Sequence, residues 1–239
     1  MKTIKVRGLV LREFEAGESD KRLIIFCKGQ GRLMVYARGA RKPSSKFMAA
    51  AQLFTYADFV LAKGQGFYSL AQAEVIESFY ALRQDYDRLM SAHLIAEVCE
   101  KTLWDSIESD NLLLLALKSL SLLAKGEIPP LQISGVFLMR FFDVYGLRPQ
   151  TDACTICSAP AHEITDKSLC AEGIVCDAHK PAASIRVSDT ALHALGHIWN
   201  STLAGAFMFT ATPGLLTELR SLAHFLWRHH FEWELRSEM

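Results

Sequence analysis

The sequence predicts a small closed β-barrel followed by an all-α region that carries a metal-binding insert. Three observations lead to this fold class. Short apolar segments separated by glycine turns fill about the first 80 residues. After Ser78 the apolar period changes from two towards 3.6 residues and glycine becomes sparse, as expected of helices. Within the helical region, cysteines and a histidine recur in pairs with the two-residue spacing of metal knuckles.

The length of 239 residues fits two domains, or two domains and a small insert. We expect a barrel domain over residues 1–80 and a helical domain formed by residues 81–149 and 183–239. The metal-binding insert is expected over residues 150–182, between the third and fourth helices.

The barrel is predicted from five apolar segments that are rich in β-branched and aromatic residues. They cover residues 6–16, 22–27, 33–37, 53–61 and 67–77. The turns Lys28-Gly29-Gln30-Gly31 and Lys63-Gly64-Gln65-Gly66 join two pairs of them as tight hairpins. Five strands in about 80 residues suit an OB-fold barrel. An SH3-like barrel or an open sheet would give much the same pattern.

Helices are predicted over residues 82–104, 110–125, 131–145, 188–200 and 213–234. Asp110 is expected to be the N-cap of the second helix, with Gly126 just past its end. The leucines of this helix nearly encircle it, which indicates a central buried helix. Thr212 is expected to cap the last helix, with Pro213 at its first position.

Composition argues against several classes of protein. No segment approaches the roughly 18 to 20 uninterrupted apolar residues that span a bilayer, and Lys5, Arg7 and Arg12 interrupt any N-terminal secretory signal. We therefore expect a cytoplasmic protein. In that reducing compartment we do not expect the six cysteines to form a disulfide framework. The sequence also lacks a phosphate-cradling glycine loop, a nucleophile elbow and paired catalytic carboxylates, so we do not expect an enzyme.

The insert contains two ligand pairs of the zinc-knuckle type. Cys154 and Cys157 form the first pair, and Cys176 and His179 form the second after eighteen intervening residues. Four protein ligands leave no open coordination position, so we expect a structural zinc ion rather than a catalytic one. Gly173 is expected to allow the close approach that the second knuckle needs.

Other interpretations of the cysteines are open. Cys154 and Cys157 could form a redox pair, although such pairs usually follow a strand at a helix N-terminus. Cys170 or His162 could replace His179 as the fourth ligand, but neither keeps the two-residue spacing. Cys27 and Cys99 lie in apolar segments and are expected to be small buried side chains.

The charge distribution indicates a polyanionic ligand. Residues 1–80 hold 13 Lys and Arg against 7 Asp and Glu, whereas the chain as a whole is formally neutral. The stretch between Asp20 and Asp58 has eight basic residues and no carboxylate. The eight are Lys21, Arg22, Lys28, Arg32, Arg38, Arg41, Lys42 and Lys46. Basic residues clustered in this way create a positive electrostatic field, which raises the local concentration of an anionic ligand at one face of the protein. Nucleic acid is the commonest such ligand.

Aromatic residues accompany the basic window, and bases can stack on exposed rings. The candidates are Tyr36, Phe47, Tyr56, Phe67 and Tyr68. Because strands alternate faces, about half of such rings point inward. We expect Phe47 and Phe67 to be core residues.

The order of these parts resembles the RecO family of bacterial recombination mediators. The resemblance rests on Val10-Leu11-Arg12, on Gly17-Glu18-Ser19-Asp20, on the run from Ala37 to Lys42, and on the two ligand pairs. It implies an OB-fold barrel and a helical domain. It also implies a protein that binds single- and double-stranded DNA, anneals complementary strands and, with its partner RecR, helps RecA load onto DNA coated by single-strand-binding protein in the RecF pathway of DNA repair.

Carried over residue by residue, the DNA-contacting region of the family falls on Arg38, Arg41 and Lys42, with Arg22 and Lys46 as neighbours. His179 departs from the family pattern, which has cysteine there, but histidine ligates zinc well. The resemblance also implies that the acidic, apolar C-terminal tail of single-strand-binding protein docks on the helical domain.

Two other functions compete with this interpretation. A zinc-containing, sequence-specific DNA-binding regulator would insert a recognition helix into the major groove. An enzyme acting on nucleic acid would need an open metal position or a carboxylate cluster, and we find no pattern for either.

Overall fold

The computed structural model describes residues 2–64, 66–103 and 109–237. The chain divides into two compact units. One comprises Met1–Glu127 together with Arg236–Met239, and the other comprises Ile128–Leu235. The finer division at residues 80, 149 and 182 stays a prediction.

The first unit contains a closed five-stranded barrel. Its strands are Thr3–Ala16 (β1), Asp20–Cys27 (β2), Gly31–Ala37 (β3), Tyr56–Lys63 (β4) and Tyr68–Glu77 (β5). They follow the order β1-β2-β3-β5-β4 around the barrel, with β3 and β5 parallel and the other pairs antiparallel. This closure confirms the predicted OB-like barrel and excludes an open sheet. Gln65, in the predicted β4–β5 turn, lies outside the described residues.

Strict alternation places one face of each strand inside the barrel. On β2, Leu23, Ile25 and Cys27 are fully buried in the barrel core, whereas Arg22 points outward. On β1 the register shifts between Val10 and Arg12, so Leu11 forms a bulge. Beyond that bulge the outward positions of β1 are Arg12 and Phe14, which pair with Ile24 and Arg22 of β2.

Two helices complete the first unit. A short 3-10 helix, Tyr80–Gln84, precedes Tyr86–Thr102 (α1), and Asp110–Lys125 (α2) follows. The predicted end of the first helix at Trp104 lies outside the described residues. Gly126 ends α2 in the left-handed conformation, as predicted. Cys27 and Cys99 are fully buried, as predicted.

Two details of α2 differ from the prediction. The helix begins at Asp110, so Ser109 occupies the N-cap position, where its side chain forms no capping hydrogen bond. The Asp110 carboxylate accepts a hydrogen bond (2.8 Å) from the backbone N–H of Gly29 in the β2–β3 turn. The helix is not buried all round either, since Leu114 is 55% exposed. The apolar face is wide but leaves one side to solvent.

The second unit is helical, with Pro130–Val144 (α3), Asp189–Asn200 (α4) and Pro213–His230 (α5). Thr212 caps α5 through its side-chain oxygen and Pro213 is the first residue of α5, as predicted. Ser188, predicted as the first residue of the fourth helix, is instead its N-cap. The predicted end of α5 at residue 234 is wrong. The chain becomes extended at Phe231, whose ring stacks on Trp227 with centroids 4.3 Å apart.

The insert between α3 and α4 forms a small three-stranded sheet. Its strands are Lys167–Leu169 (β6), Ile174–Cys176 (β7) and Ile185–Arg186 (β8), in the order β7-β6-β8. Across the described residues, none of the helices combines the length and apolar character needed to cross a membrane.

Candidate metal centre and nucleic-acid interface

Four side chains of the insert converge on one point. The Sγ atoms of Cys154, Cys157 and Cys176 and a ring nitrogen of His179 all lie within 4.8 Å of one another. Cys176 Sγ lies 4.0 Å from Cys154 Sγ, 3.9 Å from Cys157 Sγ and 3.1 Å from His179 Nδ1. The two predicted ligand pairs are therefore brought together as one group, which we name the Cys3His cluster.

The electrostatics of the Cys3His cluster suit a cation. Backbone N–H donation from Cys157, more than the opposing burial, lowers the pKa of the Cys154 thiol to about 6. Burial, followed by the neighbouring thiols of Cys157 and Cys154, raises the pKa of Cys176. Three sulfurs thus compete for negative charge at one place, and a bound cation would relieve that competition.

Gly173 holds the second knuckle against the first part of the insert. Its φ of +155° lies in a region that favours glycine, and a Cβ there would lie 2.4 Å from the carbonyl oxygen of Gln150. The backbone of Gln150 forms hydrogen bonds with both neighbours of Gly173. Its carbonyl oxygen accepts from the N–H of Ile174 at 2.8 Å, and its N–H donates to the carbonyl oxygen of Glu172 at 2.9 Å. Only a residue without a side chain allows this approach.

The alternative ligands lie outside the Cys3His cluster. Cys170 is buried, its Sγ lies 2.9 Å from the carbonyl oxygen of Gly173, and burial raises the pKa of its thiol. His162 is exposed and lies beside Glu163. Neither belongs to the one metal-type group found among the described residues.

The basic residues predicted to bind DNA differ in whether they form ion pairs. Arg22 lies on the outer face of β2. Arg38, Lys42 and Lys46 lie in the first part of the β3–β4 connection, residues 38–46, which we call the basic loop. All four are exposed, and none forms an ion pair with a residue in the described parts of the chain. Lys46 lies over the ring of Phe47, 4.9 Å from its centroid, and Phe47 is buried as predicted.

Arg41 differs from its neighbours because carboxylate and carbonyl oxygens surround it. Its guanidinium forms a 3.0 Å ion pair with Glu15 and donates to the carbonyl oxygen of Gly17 at 3.3 Å. Lys21 is likewise neutralised by Glu13, and it donates to the carbonyl oxygen of Ala51. The segment between Asp20 and Asp58 contains no carboxylate of its own, but two of its basic residues therefore form ion pairs with carboxylates of β1.

The β1–β2 turn, residues 17–20, is hydrogen-bonded to the run from Ala37 to Lys42. Asp20 accepts a hydrogen bond (2.8 Å) from the backbone N–H of Gly39, and the Ser19 carbonyl accepts one (2.9 Å) from the N–H of Arg41. The β1–β2 turn thus fixes the start of the basic loop, which leaves Arg38 and Lys42 directed to solvent.

Sequence reasoning missed part of the outer barrel face. Arg12 and Arg22 both lie over the ring of Phe14, with 4.6 and 5.5 Å to its centroid. The expectation that Phe67 is a core residue is wrong, because it is 42% exposed and contacts Tyr36. Phe67 precedes β5 in a turn, where strand alternation no longer decides which face a side chain takes. The bulge at Leu11, which sequence alternation does not reveal, sets the direction of Phe14.

The fold and these sites define a class: an OB-like barrel with a basic surface, joined to a helical region that carries a Cys3His cluster able to hold a metal ion. Residues 1–79 match the family model described as Recombination protein O N terminal, and residues 83–239 match Recombination protein O C terminal. The chain belongs to the RecO family.

Curated relatives agree with this assignment. The DNA repair protein RecO of Acetivibrio thermocellus is 33% identical over 221 residues, which cover 92% of this chain and 88% of the relative. That of Alkaliphilus metalliredigens is 35% identical over 173 residues, 72% of this chain and 70% of the relative. That of Bacillus cereus is 30% identical over 186 residues, 77% and 73% of the two chains.

Proposed function

We propose that this chain is a DNA-binding recombination mediator that anneals complementary single strands and assists recombinase loading during DNA repair, without catalysing a reaction itself. Membership of the RecO family supports a role in DNA repair and recombination and implies DNA binding. The finer activities, annealing and loading, are our inference.

The observation that carries the proposal is the group of exposed, unpaired cations on the barrel. Arg22, Arg38, Lys42 and Lys46 are free to bind phosphates, since no described carboxylate pairs with them. Phosphate neutralisation releases counterions and supplies sequence-independent affinity. Two strands held on such a surface repel each other less, and base pairing then drives annealing.

The partners proposed with this function are RecR and single-strand-binding protein, the latter through its acidic, apolar C-terminal tail. The resemblance of the chain to the RecO family supports both. No residue of the helical unit is assigned to either partner.

We also propose that the Cys3His cluster binds zinc. Sulfurs about 2.3 Å from a tetrahedral zinc ion lie about 3.8 Å apart, close to the 3.9 and 4.0 Å separations from Cys176 Sγ to the other two sulfurs. Cys154, Cys157, Cys176 and Nδ1 of His179 would hold the ion. Zinc would act as a cross-link between the two halves of a segment with little core of its own.

The salt dependence of DNA binding tests the role of the basic loop. Replacing Arg38, Lys42 and Lys46 together by alanine should lower the log–log salt slope on single strands by roughly 2, since each phosphate contact contributes roughly 0.7. Affinity should fall about equally for unrelated sequences. Fluorescence anisotropy of labelled oligonucleotides between low and moderate salt measures both quantities.

A matched control removes the same charge elsewhere. Lys2, Lys5 and Lys125 are exposed and lie outside the basic loop, so their triple alanine variant should keep the wild-type slope and strand-annealing rate. Equal slopes for the two triple variants would refute the role of the basic loop. DNA binding by the wild-type chain without any acceleration of annealing would refute the mediator function.

A further inference from the structure

Ser44 lies at the tip of a tight turn in the middle of the basic loop. The backbone N–H of Ser45 donates to the carbonyl oxygen of Lys42 at 2.9 Å, which closes a four-residue turn. Pro43 occupies the second position of this turn, where its fixed φ is favourable, and Ser44 occupies the third. Ser44 is exposed, so the turn presents it to solvent.

The hydroxyl group of Ser44 is available for chemistry. It forms no hydrogen bond with the described residues. Other serine hydroxyls are engaged: Ser45 Oγ accepts from the backbone N–H of Phe47 at 3.2 Å, and Ser221 Oγ donates to the carbonyl oxygen of Thr217 at 3.0 Å. Because exposed loop tips are the parts of a domain that other enzymes reach most readily, Ser44 is accessible to a modifying enzyme.

Basic residues flank Ser44 on both sides in the sequence. Arg41 and Lys42 stand three and two positions before it, and Lys46 stands two positions after it. Protein kinases select substrates partly by the charge pattern around the acceptor, so this segment fits a serine kinase with an acidic substrate groove. The ion pair of Arg41 with Glu15 is partly exposed to solvent, and such pairs are weak enough to open.

A phosphoryl group on Ser44 would offset much of the charge of the basic loop. The loop holds four cations, and the three other than Arg41 form no ion pair with the described residues. A phosphoserine carries a charge of about −1.5 to −2 at pH 7 and three strong acceptor oxygens. It would therefore neutralise roughly two of these three cations and pair with their N–H donors in place of DNA phosphates.

We propose that Ser44 is a phosphorylation site, and that its phosphorylation by a serine kinase selective for basic segments weakens the binding of DNA to the basic loop. The Oγ atom of Ser44 attacks the γ-phosphorus of ATP, and the bond from that phosphorus to the β–γ bridging oxygen breaks. ADP leaves, and the hydroxyl proton passes to the catalytic aspartate of the kinase. This inference rests on the proposed function in taking the basic loop as a DNA-binding site, and it adds a regulated residue to that site.

The first measurement asks whether Ser44 carries phosphate in the cell. Mass spectrometry of the protein purified from its native host, grown with and without DNA damage, should find phosphoserine at position 44. Ser44→Ala, expressed in the same host, should take up no phosphate in this segment. Absence of phosphate at Ser44 under both conditions, or phosphate on Ser45 instead, would overturn the modification site.

The second measurement asks what the phosphate does to DNA binding. Protein with phosphoserine placed at position 44 during translation should bind a labelled single strand with a log–log salt slope lower by roughly 1.4, since two phosphate contacts are lost. At about 0.1 M salt this is roughly a 25-fold loss of affinity, because the binding curves converge towards about 1 M salt. Phosphoserine placed at position 221 is the matched control. Ser221 is exposed and lies in the other compact unit, so the wild-type slope should be kept.

Two substitutions complete the test. Ser44→Ala should bind DNA like the wild type, because no charge is changed, whereas Ser44→Asp should lower the salt slope by roughly 0.7 through its single negative charge. Equal effects of phosphoserine at positions 44 and 221, or wild-type binding by both, would overturn the regulatory role. Absence of DNA binding by the unmodified wild-type chain would instead refute the proposed function, and mass spectrometry would still decide the modification site.

Discussion

The Cys3His cluster and the basic surface of the barrel differ in the sequence separation of the residues that meet there. All four side chains of the cluster lie between residues 154 and 179, and each knuckle is a local turn. On the barrel, Arg41 meets Glu15, Lys21 meets Glu13, and Gly39 meets Asp20 across neighbouring strands or turns.

This difference explains why the convergence of the four ligand residues was predictable from the sequence, whereas the ion pairs of the basic residues were not. A two-residue spacing restricts both ligands to one turn, so the residues that converge can be named from the sequence. The availability of a cation instead depends on which carboxylate faces it from another strand. Arg41 and Arg38 look equivalent in the sequence, yet only Arg38 is free of an ion pair with the described residues.

The largest effect is expected when a ligand of the proposed zinc ion is removed. Replacing Cys176 by serine should abolish stoichiometric zinc and unfold the insert, because structural zinc contributes on the order of 10 kcal/mol to folding. Zinc released per chain and the thermal unfolding curve measure this. Sequence-independent DNA binding should persist, since the barrel belongs to the other compact unit.

Cys170→Ser is the matched control for that experiment. It changes a buried thiol that contacts the Gly173 carbonyl rather than the Cys3His cluster, and serine can keep that hydrogen bond. Loss of zinc from Cys170→Ser with retention in Cys176→Ser would contradict the ligand assignment.

A smaller effect is expected at Gly173, where the insert depends on backbone contact rather than on ligands. Gly173→Ala should lower the free energy of unfolding by about 3 kcal/mol, because the new Cβ would clash with Gln150 at an unfavourable φ. Chemical denaturation of the zinc-loaded protein checks this. Gly196→Ala, whose Cβ would meet no atom within 4 Å in α4, should be neutral or slightly stabilising; a reversed order would contradict the packing at Gly173.

The smallest effect is expected on the barrel, where Arg41 forms an ion pair and Arg38 forms none with the described residues. Arg38→Ala should lower the salt slope of single-strand binding by roughly 0.7. Arg41→Ala should lower it by less, because Glu15 already neutralises that guanidinium. Anisotropy titrations of the two single variants at several salt concentrations would test this, and an equal or larger decrease for Arg41→Ala would show that its ion pair opens when DNA binds.

The amino-acid sequence alone was enough to predict the barrel, the helices, the insert and the four members of the Cys3His cluster. These features depend on short-range information: the alternation of apolar residues, glycine turns, helix caps and ligand spacing. Even the errors were local, such as the end of α5 at His230, where stacking of Phe231 on Trp227 replaces a further helical turn.

Which cations lack an ion pair and which rings are exposed depends instead on contacts between distant parts of the chain. The bulge at Leu11 turns Phe14 outward towards Arg22, and the β4–β5 turn brings Phe67 against Tyr36. The pairing of β1 with β2 fixes where Glu13 and Glu15 lie relative to Lys21 and Arg41. These outcomes depend on strand register and long-range contacts, which residue spacing along the chain does not encode.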